Sequence, residues 1–283
     1  MSSSLTVIIP CKNEQPNIMA CIDSVRAVAD EILIADSGST DGTLELVRRD
    51  PDCRVIEREY RCSADFKNWA IPQASHEWIL LLDADERMTA SLQLEVLQLK
   101  RETLESTSLL AFEIGRQSYI LGKPVRYSGW QNDTVRRLFR RECRYQERRV
   151  HAALDVPRDR TQLLEHVLEH HTYRSLAHFA AKLTQYAVWG AEDLRKANKR
   201  AGVVPMVCRP AWRFLRQYIF QRGFLDGRVG LLISGMGAYG VFLKYAMLWE
   251  LERRERSRQG RPQTTDATVS PPLLTGAATH HST

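Results

Sequence analysis

Four short runs in the first third of the chain restrict its fold more than any other feature. "LTVIIP" (5 to 10), "EILIAD" (31 to 36), "CRVIERE" (53 to 59) and "WILLLD" (78 to 83) are rich in Val, Ile and Leu. A strand covered on one face alternates apolar with polar residues, whereas one covered on both faces reads as a nearly continuous apolar run. Between the runs the spacing becomes helical. Ile18, Cys21, Ile22, Val25 and Val28 recur every three or four residues after Pro16, which suits a first helical turn. "STDGTLELVRRD" offers Ser39, Thr40 or Asp41 as an N-cap ahead of Leu44 and Val47, and "SADFKNWAIPQA" reads as a third helix broken at Pro72. Strand and helix in alternation predict right-handed crossovers and a mainly parallel α/β sheet.

Ligands of such sheets bind beyond the carboxyl ends of the strands. Three polar clusters stand there: "PCKNE" after the first run, "DSGSTDG" after the second and "DADE" after the fourth. In "DADE" two aspartates separated by one residue follow Leu80, Leu81 and Leu82, which fix their position. Hard oxygen ligands of this kind suit Mg²⁺ or Mn²⁺, and a cation held by one or two carboxylates keeps positions open for substrate phosphates. A solvated turn closing a strand has the same pattern. "DSGSTDG" supplies Asp36 and small residues that let backbone amides approach an anion, and it serves equally as a capping loop. It has neither the G-x-G-x-x-G of a dinucleotide site nor the G-K-[ST] of a P-loop, so neither a dehydrogenase nor a Walker-type ATPase is supported. Lys67 and Asn68 could meet a base or a phosphate. His151 follows an arginine cluster and could be a metal ligand, a phosphate contact or a structural residue, and the pair His170 and His171 has a weaker claim.

Past residue 100 the pattern changes. "LLAFEIGRQSYILGK" reads as one or two strands turning at Gly122, and "TVRRLFR" as another, giving the sheet mixed members. From about residue 175 the chain reads as helical. Residues 229 to 243 carry no charge, a run short of the roughly 20 residues that cross a bilayer, so a buried or interfacial helix is expected. Residues 257 to 283 are polar and Pro/Gly-containing and read as a disordered tail. The formal charge of +6 is concentrated: residues 135 to 149 hold seven arginines against two glutamates. That surface favours anionic partners. The six cysteines show no C-x-x-C pair, and "MSSSLTVIIPCKNE" lacks a secretory h-region, which together predict reduced thiols and a cytoplasmic location.

"VIIPCKNEQPNI", "ILIADSGSTDGT", "FKNWAI" and "WILLLDADE", in this order and at these distances, resemble the nucleotide-sugar half of a family 2 glycosyltransferase with the GT-A fold. "LGKPVRYSGW", "RLFRR", "VHAAL", "HHTYRSLAHFAAKLTQYA" and the segment from "GFLDG" to "KYAMLWE" are similar to the branch containing the lipopolysaccharide core β-1,4-glucosyltransferases. The resemblance implies a GT-A domain over 1 to 155, a mainly helical acceptor- or membrane-facing region over 156 to 256, and the tail. It implies an inverting hexosyltransferase moving glucose from UDP-glucose to an inner-core heptose, at the inner face of the cytoplasmic membrane, with an anionic glycolipid acceptor and no nucleic-acid partner. Carried over, Pro10 and Glu14 line the nucleotide pocket, Asp36 binds uracil or ribose with Lys67 beside it, and Asp83 contacts ribose or metal. Asp85 is the principal ligand of Mg²⁺ or Mn²⁺, and His151 faces the metal or diphosphate. The branch commonly has V-H-E where this chain has Val150, His151 and Ala152, and Ala152 cannot take a proton. Asp133 is the first substitute base and Glu113 the second. Another cell-envelope glycosyltransferase, a nucleotidyltransferase, or an impaired module that binds anionic surfaces are the alternative readings.

Overall fold

The computed structural model describes residues 3–147 and 153–259. Its first half alternates β1 (Leu5–Cys11), α1 (Ile18–Val25), β2 (Glu31–Asp36), α2 (Thr43–Arg48), β3 (Cys53–Glu57), α3 (Ser63–Ala70) and β4 (Trp78–Leu81), as the periodicity predicts. A 3₁₀ turn at Ile71–Gln73 follows α3, where Pro72 ends the regular helix. β5 (Glu86–Met88), α4 (Ala90–Glu102), β6 (Ala111–Ile120), β7 (Lys123–Pro124), β8 (Thr134–Arg140) and β9 (Thr161–Tyr173) complete the sheet. The order is β3-β2-β1-β4-β8-β6-β9-β5, with β7 paired to β6. β3, β2, β1 and β4 run parallel, β8 is antiparallel to both neighbours, and β9 runs parallel to β6.

The apolar runs are continuous because both faces of the parallel strands are covered. Leu5, Val7 and Ile9 pack with Ile18, Cys21, Ile22 and Val25 of α1. Ile8, Leu33, Ile79 and Leu81 point the other way, onto Ala64, Phe66 and Ala70 of α3. Trp78 is buried beside Phe112, ring centroids 5.8 Å apart, and its indole N–H donates to the Leu104 carbonyl at 3.0 Å. Burial of a ring this size is worth more than that of any aliphatic neighbour.

The sheet draws one long strand from beyond residue 155. β9 spans thirteen residues and pairs with β6 and β5, so the stretch ahead of the helices at residue 175 adds a strand to the sheet. β6 and β5 supply its backbone partners on either side. Helical structure follows in α5 (Leu176–Lys196), capped by Ser175, whose hydroxyl accepts from the His178 amide at 3.1 Å. α6 (Val203–Leu215) runs through a π-helical turn (Arg216–Phe220) and a 3₁₀ turn (Gly223–Asp226) into α7 (Gly227–Gln259). α7 packs against both α5 and α6, with Ala191, Tyr245 and Leu248 buried between them. Residues 229 to 243 lie in this helix, which by length and composition alone could cross a membrane. Residues 257–259 extend it, and the rest of the expected tail lies outside the described residues. Asp226 ties the helices to the sheet by accepting from the Arg126 and Tyr127 amides, both at 3.0 Å.

Candidate active site

Parallel pairing brings the three polar clusters to one edge. Cys11 pairs with Asp36 and Ile8 with Leu81, so the chain leaves β1, β2 and β4 on the same side of the sheet. The first two loops are laced together. Asn13, in the left-handed region at φ 55°, donates its amide to Ser39 Oγ at 2.9 Å and accepts from the Thr40 amide at 2.7 Å. The Glu14 amide donates to Thr43 Oγ1 at 2.9 Å and the Gln15 amide to Asp41 Oδ2 at 3.1 Å. Asp36 is wholly buried, and its carboxylate accepts from the Gly38 and Ser39 amides at 2.8 Å each and from the Ser39 hydroxyl. The residue expected to touch uracil or ribose therefore holds its own loop, and Ser37 beside it lines the cavity.

Asp83 and Asp85 sit on the floor of a cavity of about 670 Å³, with Pro10, Glu14 and Lys67 in its wall. Lys67 Nζ reaches Asp83 Oδ1 at 3.1 Å, while its partner Asn68 clamps the backbone of Tyr145 instead of facing a ligand. The other Asp83 oxygen is bonded to Arg137, a buried side chain whose Nη2 also meets Glu86 Oε1 at 2.6 Å. Glu86 is fully buried and takes a further bond from Arg116 Nη1 at 3.2 Å. Burial alone would raise the Asp83 pKa, but the Arg137 and Lys67 charges hold it well below the usual carboxylate range. Asp83 is thus ionised throughout the neutral range. For Glu14 the balance is reversed: burial, aided by repulsion from Asp85, pushes its pKa up against the hydrogen bond from Asn17.

His170 is the residue that sequence reasoning undervalued. β9 pairs His170 with Glu86, which turns the imidazole toward Asp85: Nε2 lies 3.5 Å from Oδ2, and both line the cavity. His171 points to the opposite face, stacked on Tyr119 with centroids 5.0 Å apart and near Glu169 at 3.2 Å. Among the described residues no three His, Cys, Asp or Glu side chains gather as a metal-sized group. One carboxylate and one imidazole still fit a hard or intermediate cation whose other positions go to substrate oxygens. His151 and Ala152 lie outside the described residues.

α5 closes the cavity with Lys182, Gln185, Tyr186 and Trp189, and Tyr173 lies beneath Lys182, 5.5 Å from its ring centroid. Burial, with Tyr186 and Asp85 nearby, pushes the Tyr173 phenol up to about 12. Neither expected base lines this cavity. Asp133 Oδ2 is bonded by Arg116 Nε and Nη2 at 2.9 and 2.6 Å, and it faces an adjoining cavity of about 530 Å³ that also contains Arg126 and Trp130. Arg116 lines both cavities. Glu113 pairs with Arg136 at 3.0 Å and lines neither.

The family model for glycosyl transferase family 2 matches residues 6–148. The lipopolysaccharide core biosynthesis glycosyltransferase LpsC of Rhizobium meliloti is 30% identical over 93% of this chain and 97% of its own length. An uncharacterized glycosyltransferase of Rickettsia typhi is 24% identical over 89% of each chain. A mannosyltransferase from Pyrobaculum calidifontis, solved with GDP-mannose and Mn²⁺, superposes with a TM-score of 0.50 at 17% identity, covering 88% of each chain, and shares the fold. The acidic strand end, the laced loops and the match across them agree: the chain belongs to glycosyl transferase family 2.

Proposed function

We propose that the protein is an inverting hexosyltransferase that moves glucose from UDP-glucose onto an inner-core heptose of lipopolysaccharide, at the cytoplasmic face of the inner membrane. The observation that carries the reading is the position of Asp83 and Asp85 on the floor of a cavity walled by the loops after β1, β2 and β4. The core-biosynthesis role named for the Rhizobium relative supports the acceptor class. Asp85 and His170 would hold Mg²⁺ or Mn²⁺, which supplies Lewis acidity at the leaving diphosphate.

The other residues have separate roles in the proposal. Asp83, kept ionised by Arg137 and Lys67, accepts hydrogen bonds from the ribose hydroxyls. Pro10, Ser37 and Glu14 bound the nucleotide, and Lys182 and Arg116 place positive charge where the leaving phosphates gain negative charge. The acceptor enters the adjoining cavity, where Arg126 and Trp130 suit an anionic sugar. Asp133 takes the proton of its attacking hydroxyl, because it lines that cavity and Glu113 does not. The anomeric carbon passes through an oxocarbenium-like transition state and inverts.

A screen of nucleotide sugars for cation-dependent binding and slow hydrolysis tests the reading. UDP-glucose should be preferred, free UDP released, and Asp85→Ala should lower turnover by at least about a hundredfold, the scale lost with a main electrostatic stabiliser. Asp85→Ala turnover equal to wild type would sink the cation assignment, and pyrophosphate in place of UDP would sink the reaction class.

A further inference from the structure

Helix α6 and the turns after it turn an apolar stripe outward. Val204, Val207, Trp212, Leu215 and Ile219 recur at three- to five-residue spacing, Phe220 adjoins the last, all six are 46–70% exposed, and α6 contains no buried residue. A helix of a soluble domain turns such a stripe toward the core. Here the core side is already filled by α7, whose packing against α6 uses the opposite edge of the helix pair around Met206 and Tyr245. Phe224 and Leu225, about half exposed, continue the stripe through the 3₁₀ turn. Trp212 and Phe220 stand together with ring centroids 5.6 Å apart.

The charge around the stripe has one sign. From Leu194 to Leu225 the chain contains eight Lys or Arg and no Asp or Glu. Among the described residues Arg209, Arg213, Arg216 and Arg222 form no ion pair. A twofold contact with a second copy would set these bases against themselves, which disfavours it. Nucleic acid would use the arginines and leave the Val, Leu, Ile and Phe side chains in water. An anionic bilayer satisfies both sets, with apolar side chains below the headgroups, arginines among the phosphates and an aromatic pair at the boundary. We infer that residues 203–225 form an interfacial membrane-binding element, lying in the plane of an anionic phospholipid surface. This deepens the functional reading by naming the surface that meets lipid, and its test uses no nucleotide sugar, so the two can fail separately.

Full-length protein is sedimented with vesicles of phosphatidylglycerol and phosphatidylcholine, and with pure phosphatidylcholine vesicles. Wild type should bind the anionic vesicles, detach at high salt, and bind the neutral ones far more weakly. Trp212→Ser/Phe220→Ser and Arg216→Ser/Arg222→Ser should each weaken binding by at least about tenfold while keeping the melting temperature and elution volume of wild type. Val204→Ser/Val207→Ser, at two of the most exposed positions, carries the same expectation should either pair melt at a lower temperature. Unchanged binding in the folded variants overturns the inference. So does a wild-type dimer that the Trp212/Phe220 change dissociates without loss of vesicle binding, or attachment that resists high salt and alkaline extraction, which would mean that α7 spans the bilayer.

Discussion

Arg137→Met removes one guanidinium and strips two carboxylates of their shared partner. Glu86 is fully buried and keeps one charged partner, Arg116 at 3.2 Å, beside the Asp83 amide at 3.1 Å, while Asp83, 37% exposed, keeps Lys67 at 3.1 Å. Breaking a buried pair costs about 3–5 kcal/mol, and because water can reach Asp83 the lower end applies, about 3 kcal/mol. For a domain of this size that lowers the melting temperature by roughly 6–12 °C. The pH dependence gives a second readout. Asp83 titrates well below its ordinary range in the folded state, so its contribution is present above the unfolded carboxylate pKa and fades as pH falls toward the folded value. Differential scanning calorimetry of wild type and variant should therefore show a gap that is full at neutral pH and narrows as pH falls from about 5 toward 3. A gap under about 2 °C at neutral pH, or one that widens on acidification, would refute this account of the Asp83–Arg137–Glu86 group.

Two further substitutions probe the site and its frame. Asp133→Asn should lower kcat by about 10²- to 10⁴-fold with the donor KM little changed, whereas Glu113→Gln should leave turnover within tenfold; the reverse pattern in steady-state kinetics would exchange their roles. Gly38 sits at φ +91° with open space around its α-carbon, so Gly38→Ala meets no clash and pays only backbone strain, about 1–2 kcal/mol in urea denaturation. A stabilised Gly38→Ala variant would show that the loop can relax out of that conformation.

The parallel half of the fold and the floor of the site were legible because local and tertiary demands coincide there. Runs such as "VIIP" and "WILLL" are apolar on both faces since both faces are covered, and the polar clusters follow where strands end. His170 was not legible. Its placement depends on β9 pairing with a three-residue strand, β5, a long-range pairing that no local pattern announces. Arg137 was hidden differently: within a cluster of seven arginines nothing in the sequence separates the one buried beneath two carboxylates from those on the surface. Asp36 stands at the strand end that its run implies, and its partners there are backbone amides two and three residues on, a local bond that a strand-end aspartate can make without any ligand.

The lacing between the loops after β1 and β2 has a kinetic consequence. Asn13, Ser39, Thr40 and Thr43 already hold one another, so a nucleotide arriving at this edge meets a surface that need not be ordered first. Little of the interaction energy is then lost to freezing the loops, and association on this side should be limited by encounter more than by rearrangement. Slow steps, if turnover has them, belong to the α5 side of the cleft, where Tyr186 and Trp189 stand half in solvent.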